Sequence, residues 1–282
     1  MKSINELFSL VADILDPINE EIDFMENDKL CNKVLKFLSV KKEHPNLSFL
    51  NKIVKNHQEK IKWETLTKVI DWQNGDQTGQ FLPSVDIYFE RVINKGMGGT
   101  CWTHSVGLHW LLTELGFPVY YVYMDPGHIC LRVELDEPYY VDVGYCAPLF
   151  QAYPMFESFK VKDEREIFDY SVTNDGIKII RTPGPTKTLN PNPIILQDME
   201  PIIKNSNNWD TSPVLREIQI FGYINGVPTS LKKNVLKQHF QTGKTEKVLN
   251  KGEVEYWVTK LFGIDKDIYY KALKIYENKM KI

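Results

Sequence analysis

Apolar residues recur three or four positions apart through most of the first third of the chain. This is the period of amphipathic helices, which bury one face against a core. A further short helix is predicted over residues 87–93, ahead of a double glycine. We therefore predict that residues 1–116 form a helical domain. Its three apolar stripes are Leu7, Leu10, Val11 and Ile14, then Leu30, Val34, Leu35 and Leu38, then Leu50, Ile53, Val54 and His57.

The pattern changes to a period of two beyond residue 116. Residues 119–124 form a run of β-branched and aromatic side chains, and residues 128–135 and 139–144 alternate between apolar and polar positions. Asp136-Glu137-Pro138 separates the last two segments as a turn, so they are predicted to form a β-hairpin. Several short antiparallel strands are typical of a barrel or curled sheet, which we predict for residues 117–195. Further strands are predicted over 157–161, 167–172 and 177–181.

Residues 182–193 contain four prolines, which lack the backbone N–H that a central strand needs. This stretch is predicted to be a linker to a third region, 196–282. In that region residues 217–223 and 226–231 suggest a small sheet, and helical spacing returns from Gly252 onward. The predicted fold is thus α+β: an N-terminal helical bundle, a central antiparallel β-barrel and a C-terminal α/β region.

Composition narrows the class of protein. A hydrophobic content of 43% and an aromatic content of 12% indicate a globular chain, and a net charge of −3 favours neither nucleic acid nor an anionic membrane surface as a partner. No apolar run approaches the length of a membrane span, and no signal peptide is evident. With four cysteines that lack paired spacing, these features predict a cytoplasmic protein.

Candidate chemistry is concentrated at Cys101. Gly98-Gly99 precedes it as a flexible turn, Thr100 is predicted to cap a helix through its hydroxyl, and Cys101 is predicted to be the first helical residue. A thiol at this position gains from the helix dipole, which favours the thiolate. His128 and Asp142 follow, and together the three residues form the set that cysteine nucleophiles use: thiolate, general base and orienting carboxylate.

The hairpin carries both partners of this thiol. A turn near residues 136–138 puts His128 and Asp142 in diagonal rather than direct opposition. Asp125 is an alternative partner for His128, and Arg132 is an alternative partner for Asp142. The remaining cysteines are predicted to be structural, and their spacing matches no standard zinc motif, so no metal is expected. These cysteines are Cys31, Cys130 and Cys146.

At these residues the chain resembles the arylamine N-acetyltransferases. That family has a Gly-Gly-x-Cys motif opening a helix, a His at a strand start and a Val-Asp-Val-Gly strand end, which here read Gly98-Gly99-Thr100-Cys101, His128 and Val141-Asp142-Val143-Gly144. Weaker similarity extends the resemblance to most of the chain, from about residue 45 to about residue 265, through segments 57–66, 207–216 and 261–264.

The resemblance implies a fold and an activity. It implies that Cys101 takes an acetyl group from acetyl-CoA as a thioester and passes it to the nitrogen of an arylamine or hydrazine, with His128 as base and Asp142 as its orienting partner. The third region would form an α/β lid over the thiol. Thr211 and Ser212, in the segment similar to a Ser-Pro-Phe stretch of the family, would contact the cofactor.

The chain also departs from the family pattern. Met97 and Thr103 stand where the family has an Arg and a Glu that help to order the site, and the interval of 27 residues from Cys101 to His128 is shorter than in the family. Two alternatives therefore remain. The first is a cysteine hydrolase or amide synthase, because the core is also similar to transglutaminase-like and papain-like thiol enzymes. The second is a catalytically inactive relative. The oligomeric state is not predicted.

Overall fold

The computed structural model describes residues 26–280, and five helices precede the barrel. The predicted stripes at 30–38 and 50–57 are confirmed, because each lies on one helix and faces the core. The stripe at 7–14 lies outside the described residues. The elements are α1 (26–38), α2 (Leu47–Lys60), strand β1 (Trp63–Glu64), α3 (Leu66–Thr78), α4 (Val85–Lys95) and α5 (Cys101–Glu114).

An antiparallel sheet of eight strands curls into a nearly closed barrel, which confirms the predicted fold class. Its spatial order is β5-β4-β3-β2-β9-β8-β7-β6. The rings of Tyr153 and Phe159 stack with their centroids 4.0 Å apart and join the two edge strands of the sheet. The strands are β2 (Val119–Asp125), β3 (His128–Glu134), β4 (Pro138–Val141), β5 (Tyr153–Pro154), β6 (Phe159–Lys162), β7 (Ile167–Thr173), β8 (Gly176–Thr182) and β9 (Thr186–Ile194).

The prediction of a proline-rich linker over 182–193 was wrong, because β9 lies in the middle of the sheet between β2 and β8. Pro183 comes before the strand begins. Pro191 and Pro193 lie in the part of β9 where its pairing with β2 shifts register, between Tyr121 and Tyr123 of β2. On the other side of β9, the pairing with β8 ends at Leu189, before either proline. The two prolines therefore occupy a bulge in which no ladder N–H is required of them.

The third region forms a five-stranded antiparallel sheet of order β1-β10-β11-β12-β13, flanked by helices. The two predicted strands correspond to β10 and β11, whereas β12 and β13 were not predicted. Asp265 begins the last helix by accepting a hydrogen bond from the amide of Asp267 at 2.8 Å, as expected. The elements are a 3₁₀ turn (Leu196–Met199), α6 (Glu200–Ser206), β10 (Gln219–Ile224), β11 (Val227–Lys232), β12 (Val235–Phe240), β13 (Gly243–Val248), α7 (Lys251–Tyr256), a π-helical turn (Trp257–Leu261) and α8 (Lys266–Met280).

Two large hydrophobic cores contain most of the buried apolar side chains of the described residues. One lies between the helices and strands β2–β4, and the other joins α3, α7 and α8 to the five-stranded sheet. Strand β1 pairs with β10 through Trp63 and Phe221, so a segment from the N-terminal half of the chain completes the C-terminal sheet. The proposed boundaries at residues 116 and 195 remain predictions. Within 26–280, no helix combines the length and apolar character that crossing a membrane requires.

Candidate active site

Cys101 is the first residue of α5, at the end of the helix where backbone amides lack intrahelical partners. Thr100 is the N-cap residue, as predicted, but its hydroxyl does not make the predicted capping hydrogen bond. Instead Thr103 Oγ1 lies 3.0 Å from the carbonyl oxygens of both Gly98 and Thr100, and so fixes the turn before the cysteine. Gly99 has φ +82°, and a Cβ there would lie 2.3 Å from Thr103 Oγ1, which explains the glycine.

Glu64, a buried carboxylate at the end of β1, binds the backbone of the same turn. Glu64 Oε1 accepts a hydrogen bond from the Gly99 amide at 2.6 Å, and the Glu64 amide donates to the Gly99 carbonyl at 2.9 Å. Its other oxygen accepts from the Thr67 amide at 2.8 Å, at the start of α3. Burial raises the pKa of Glu64. Sequence reasoning missed its function, although Glu64 lies within the segment 57–66 that resembled the family.

His128 begins β3, and its Nε2 lies 2.7 Å from Asp142 Oδ2. In the register of β3 and β4, Leu131 pairs with Val141 and Glu134 with Pro138, so Asp142 falls opposite Cys130. The two residues are therefore diagonal neighbours, as the position of the turn suggested. Both are almost fully buried.

The alternative partners are engaged elsewhere. Arg132 Nε lies 2.5 Å from Glu134 Oε1 and not beside Asp142. Asp125 accepts a long hydrogen bond, 3.4 Å, from the Tyr123 hydroxyl. Of the combinations considered from the sequence, the structure brings together His128 and Asp142.

Three further groups fix the Asp142 residue. Tyr140 Oη donates to Asp142 Oδ2 at 2.8 Å, the Gly144 amide donates to Oδ1 at 2.9 Å, and Gln58 Nε2 donates to the Asp142 carbonyl at 3.2 Å. A carboxylate with this many donors has little freedom to rotate, so its hydrogen bond to His128 keeps one direction. The contacts of Asp142 with Tyr140 and Gly144 could have been predicted from the sequence, because these three residues alternate along the chain and so lie on the same face.

An aromatic ring stacks on the imidazole. The Tyr145 ring centroid is 4.2 Å from that of His128, and the Arg181 guanidinium carbon is also 4.2 Å from the Tyr145 centroid. Arg181 is in turn paired with the buried carboxylate of Glu166 at 2.5 Å. This stack restricts the plane of the imidazole.

The surroundings of the thiol favour its ionised form. Burial by itself would raise the pKa of Cys101, but the charge and hydrogen bonding of His128, with a smaller contribution from Lys68, lower it below its ordinary value. Burial likewise opposes protonation of His128, yet Asp142 and Cys101 raise the pKa of this imidazole. At neutral pH the arrangement therefore favours a thiolate–imidazolium pair.

All four cysteines lie among the described residues, and the other three have the opposite environment. Burial raises the pKa of Cys31 to about 11 and raises the pKa of Cys130 and Cys146 further. Cys101 is also the least buried of the four. These properties agree with structural roles for the other thiols.

Lys68 on α3 is a buried cation close to the thiol. Its Nζ donates hydrogen bonds to Asn207 Oδ1 at 2.9 Å and Ser206 Oγ at 3.3 Å, at the end of α6. Lys68 and Asn207 line a small cavity that is also lined by Thr100 and Trp102, the two neighbours of Cys101 in the chain. No sequence pattern singled out this lysine.

A groove with a volume of about 1070 Å³ runs between residues 78–84 and residues 196–204. Phe81, Leu82 and Ile203 in its wall belong to the apolar cluster that also contains Trp102 and Cys101. Part of the groove wall thus belongs to the same apolar cluster as the nucleophile. The connection from Cys101 to His128 consists of α5, the four-residue segment 115–118, β2 and the two-residue turn between β2 and β3.

Thr211 and Ser212 lie in the turns between α6 and β10. Thr211 is exposed and Ser212 is buried, with its amide donating to the Asn208 carbonyl at 2.9 Å. This segment rests on α3, since the Trp209 ring packs 4.8 Å from Trp72. Among residues 26–280 the structure has no group of three or more acidic, histidine or cysteine side chains suited to a metal ion.

Comparison with known sequences identifies the class of protein. A family model described as N-acetyltransferase matches residues 46–269, which is most of the chain. The chain belongs to the arylamine N-acetyltransferase family, so the resemblance inferred from its motifs is confirmed. A search of curated protein sequences found no match.

Solved structures agree on the fold at low sequence identity. The arylamine N-acetyltransferase of Mycobacterium abscessus has a TM-score of 0.72 at 20% identity, over 89% of this chain and 96% of that one. The Mycobacterium marinum enzyme in complex with CoA has a TM-score of 0.70 at 17% identity, over 87% and 97%. A Bacillus cereus arylamine N-acetyltransferase with a Cys-His-Glu catalytic triad has a TM-score of 0.69 at 16% identity, over 83% and 98%.

Proposed function

We propose that this protein transfers an acetyl group from acetyl-CoA to the nitrogen of an aromatic amine or hydrazine through a thioester on Cys101. One observation carries the proposal. In a chain of this family, the cysteine at the start of α5 is the thiol with a lowered pKa, and it faces a histidine bound to a buried aspartate at 2.7 Å. This combination supports a nucleophile, a base and an orienting carboxylate.

In the first half-reaction the Cys101 thiolate attacks the acetyl carbonyl of acetyl-CoA. The free amides at the N-terminus of α5 stabilise the oxyanion of the tetrahedral intermediate. When the intermediate collapses, the bond from the carbonyl carbon to the CoA sulfur breaks, and the proton on His128 moves to that sulfur. An acetyl thioester remains on Cys101.

In the second half-reaction the amine attacks the thioester. His128 accepts the proton that the amine loses, the Cys101 thiolate leaves, and the thiolate–imidazolium pair is restored. Because Nε2 of His128 is bound to Asp142, Nδ1 is the nitrogen available for both transfers. Two half-reactions that share one nucleophile give ping-pong kinetics.

The two substrates are assigned to different parts of the surface. We assign contact with CoA to Thr211 and Ser212, whose segment rests on α3 beside Lys68. We assign the aromatic acceptor to the groove between residues 78–84 and 196–204, because its wall shares an apolar cluster with Trp102 and Cys101. The apolar part of this wall suits an aromatic ring, and polar or charged side chains such as Gln197, Asp198 and Glu200 line the rest of the groove.

The proposal is tested by the intact mass of the protein after it is mixed with acetyl-CoA. The expected result is a gain of one acetyl group that a Cys101→Ala variant does not show, that a Cys130→Ala control retains, and that an arylamine removes. Without an adduct, fast labelling of Cys101 by iodoacetamide would favour a hydrolase with the same triad. Slow labelling without an adduct would favour an inactive relative.

A further inference from the structure

The charge of the site is unbalanced when the triad is ionised. A thiolate on Cys101 and the carboxylate of Asp142 give two negative charges, while the imidazolium of His128 gives one positive charge. All three groups lie in a largely buried site, where an excess charge is destabilising unless a counter-ion is close. A further cation near the thiol would stabilise this state.

Lys68 has the position of that counter-ion. Its side chain is 9% exposed, and its Nζ donates to two neutral oxygens, Asn207 Oδ1 and Ser206 Oγ, rather than to a carboxylate. The neighbouring acid on its own helix, Asp71, is already bound to Arg91 through both oxygens, at 2.8 and 3.0 Å. The positive charge of Lys68 is therefore not neutralised by a direct ion pair.

Lys68 also lies close to the nucleophile. The small cavity that it lines with Asn207 is lined as well by Thr100 and Trp102, the two residues that flank Cys101 in the chain. Among cations that act on the Cys101 thiol, Lys68 follows His128 in strength. Lys187 on β9 also faces Cys101, but its Nζ donates to the Pro126 carbonyl, and Asp125 shares its charge.

We infer that Lys68 is a positioning residue that acts as the counter-ion of the ionised triad and couples it to α6. Its charge stabilises the thiolate of Cys101 without touching the reacting atoms, and its two hydrogen bonds hold the end of α6 beside the thiol. The inference rests on the proposed function only in taking Cys101 as the nucleophile. The acetylated enzyme lacks the thiolate charge, so the charge of Lys68 stabilises the free enzyme more than the acetylated enzyme.

The test measures the rate at which iodoacetamide alkylates Cys101 between pH 4 and pH 9, without acetyl-CoA. We expect Lys68→Met and Lys68→Gln to move the inflection of this profile upward by about one pH unit, the size of the interaction between two unit charges roughly 12 Å apart at an effective dielectric constant of about 20. Below the inflection this corresponds to a roughly tenfold lower rate, because the thiolate fraction falls tenfold for each pH unit. Lys68→Arg, which keeps the charge, should restore most of the wild-type profile.

Lys62→Met is the matched control. Burial lowers the pKa of Lys62 to about 8, as it does for Lys68, but the charge of Lys62 interacts with Glu59, and its Nζ donates to the Glu59 carbonyl at 2.7 Å. This variant should leave the inflection in place. Asn207→Ala, which removes one neutral partner of Lys68 but not its charge, should lower the melting temperature without moving the inflection.

A folded Lys68→Gln variant with a wild-type profile would overturn the inference and leave Lys68 as a structural tie to α6. An equal shift in Lys62→Met would overturn it too, because the effect would then follow from any buried lysine. If Lys68→Met does not fold, Lys68→Gln decides, since its amide still donates to Asn207. A shifted inflection in a protein that acetyl-CoA does not acetylate would support the role of Lys68 and reject the acetyl-transfer proposal.

Discussion

Gly144, three residues beyond the end of β4, contacts the backbone of Cys101 and so offers a direct way to perturb the nucleophile. A Cβ built on Gly144 would lie 2.6 Å from Cys101 Cα and 2.7 Å from Cys101 Cβ, whereas ordinary contacts of this kind begin at 3.4 Å. Gly144 is not among the residues with positive φ, so alanine fits its backbone conformation. The effect of Gly144→Ala is therefore steric, and it acts on the residue that carries the thiol.

The size of the effect follows from these distances. To reach ordinary contact, the two backbones must separate by about 0.8 Å, and overpacking of this kind costs typically 1–3 kcal/mol of folding stability. The movement also changes the relation of Cys101 to His128, because the Gly144 amide is bound to Asp142 at 2.9 Å. A displacement near 1 Å in an active site lowers rates by roughly a hundredfold. We expect a loss of that order in acetylation of Cys101.

The assay compares acetylation rate and melting temperature for the wild type, Gly144→Ala and Gly252→Ala. Gly252 lies in α7, where a Cβ would meet its nearest atom at an ordinary 3.5 Å, so this control introduces the same methyl group without a clash. Loss of rate and stability in Gly144→Ala alone is the expected result. Wild-type acetylation by Gly144→Ala would refute the close contact between the two backbones on which the site geometry depends.

Three further outcomes are expected. Tyr140→Phe should lower the free energy of unfolding, measured by urea denaturation, by about 2 kcal/mol, and Tyr170→Phe should lower it by about 1 kcal/mol. The Tyr140 hydroxyl donates to a carboxylate and the Tyr170 hydroxyl donates to a backbone carbonyl, both at 2.8 Å. Equal losses in the two variants would contradict this difference. Burial lowers the pKa of His104 to about 4, so the unfolded chain takes up a proton from about pH 6.5 downward while the folded chain does not, and stability should fall by up to about 3 kcal/mol as the pH drops through that window. His104→Gln should reduce this dependence but not abolish it, because burial also lowers the pKa of His57, and an unchanged slope would contradict the assignment. Brief treatment with iodoacetamide at neutral pH should label Cys101 and spare the other three cysteines, as peptide mass analysis would show; equal labelling in the folded protein would reject the lowered pKa.

The sequence was most informative where a single segment determines its own structure. The glycines before Cys101, the alternation through His128 and the turn before Asp142 predicted a helix start, a strand and a diagonal pair, because each depends on local spacing. The prediction of a linker over 182–193 was wrong because it too relied on local sequence alone. Proline is excluded from a strand only where a ladder N–H is needed, and that depends on the register of β2, a distant strand.

The supporting residues of the site escaped sequence reasoning because their roles depend on contacts across the fold. Glu64 binds the amide of Gly99, 35 positions away in the chain, and Lys68 binds Asn207, 139 positions away. An isolated Glu or Lys in a helical region is usually a solvent-exposed surface residue. The pairing of β1 with β10 places α3 against the third region, and Glu64 and Lys68 are buried as a result.

The two departures from the family pattern have a structural explanation in the same contacts. Thr103, at the position of the expected Glu, holds the turn before Cys101 through its hydroxyl. Met97, at the position of the expected Arg, is buried in the core shared with the C-terminal sheet and α8. In this chain the turn before Cys101 is ordered by hydrogen bonds to Gly98 and Gly99 and by the apolar packing of Met97. Thr103 acts on the backbone of the turn before Cys101 and Met97 packs in the core, and with both replacements present His128 Nε2 still lies 2.7 Å from Asp142 Oδ2.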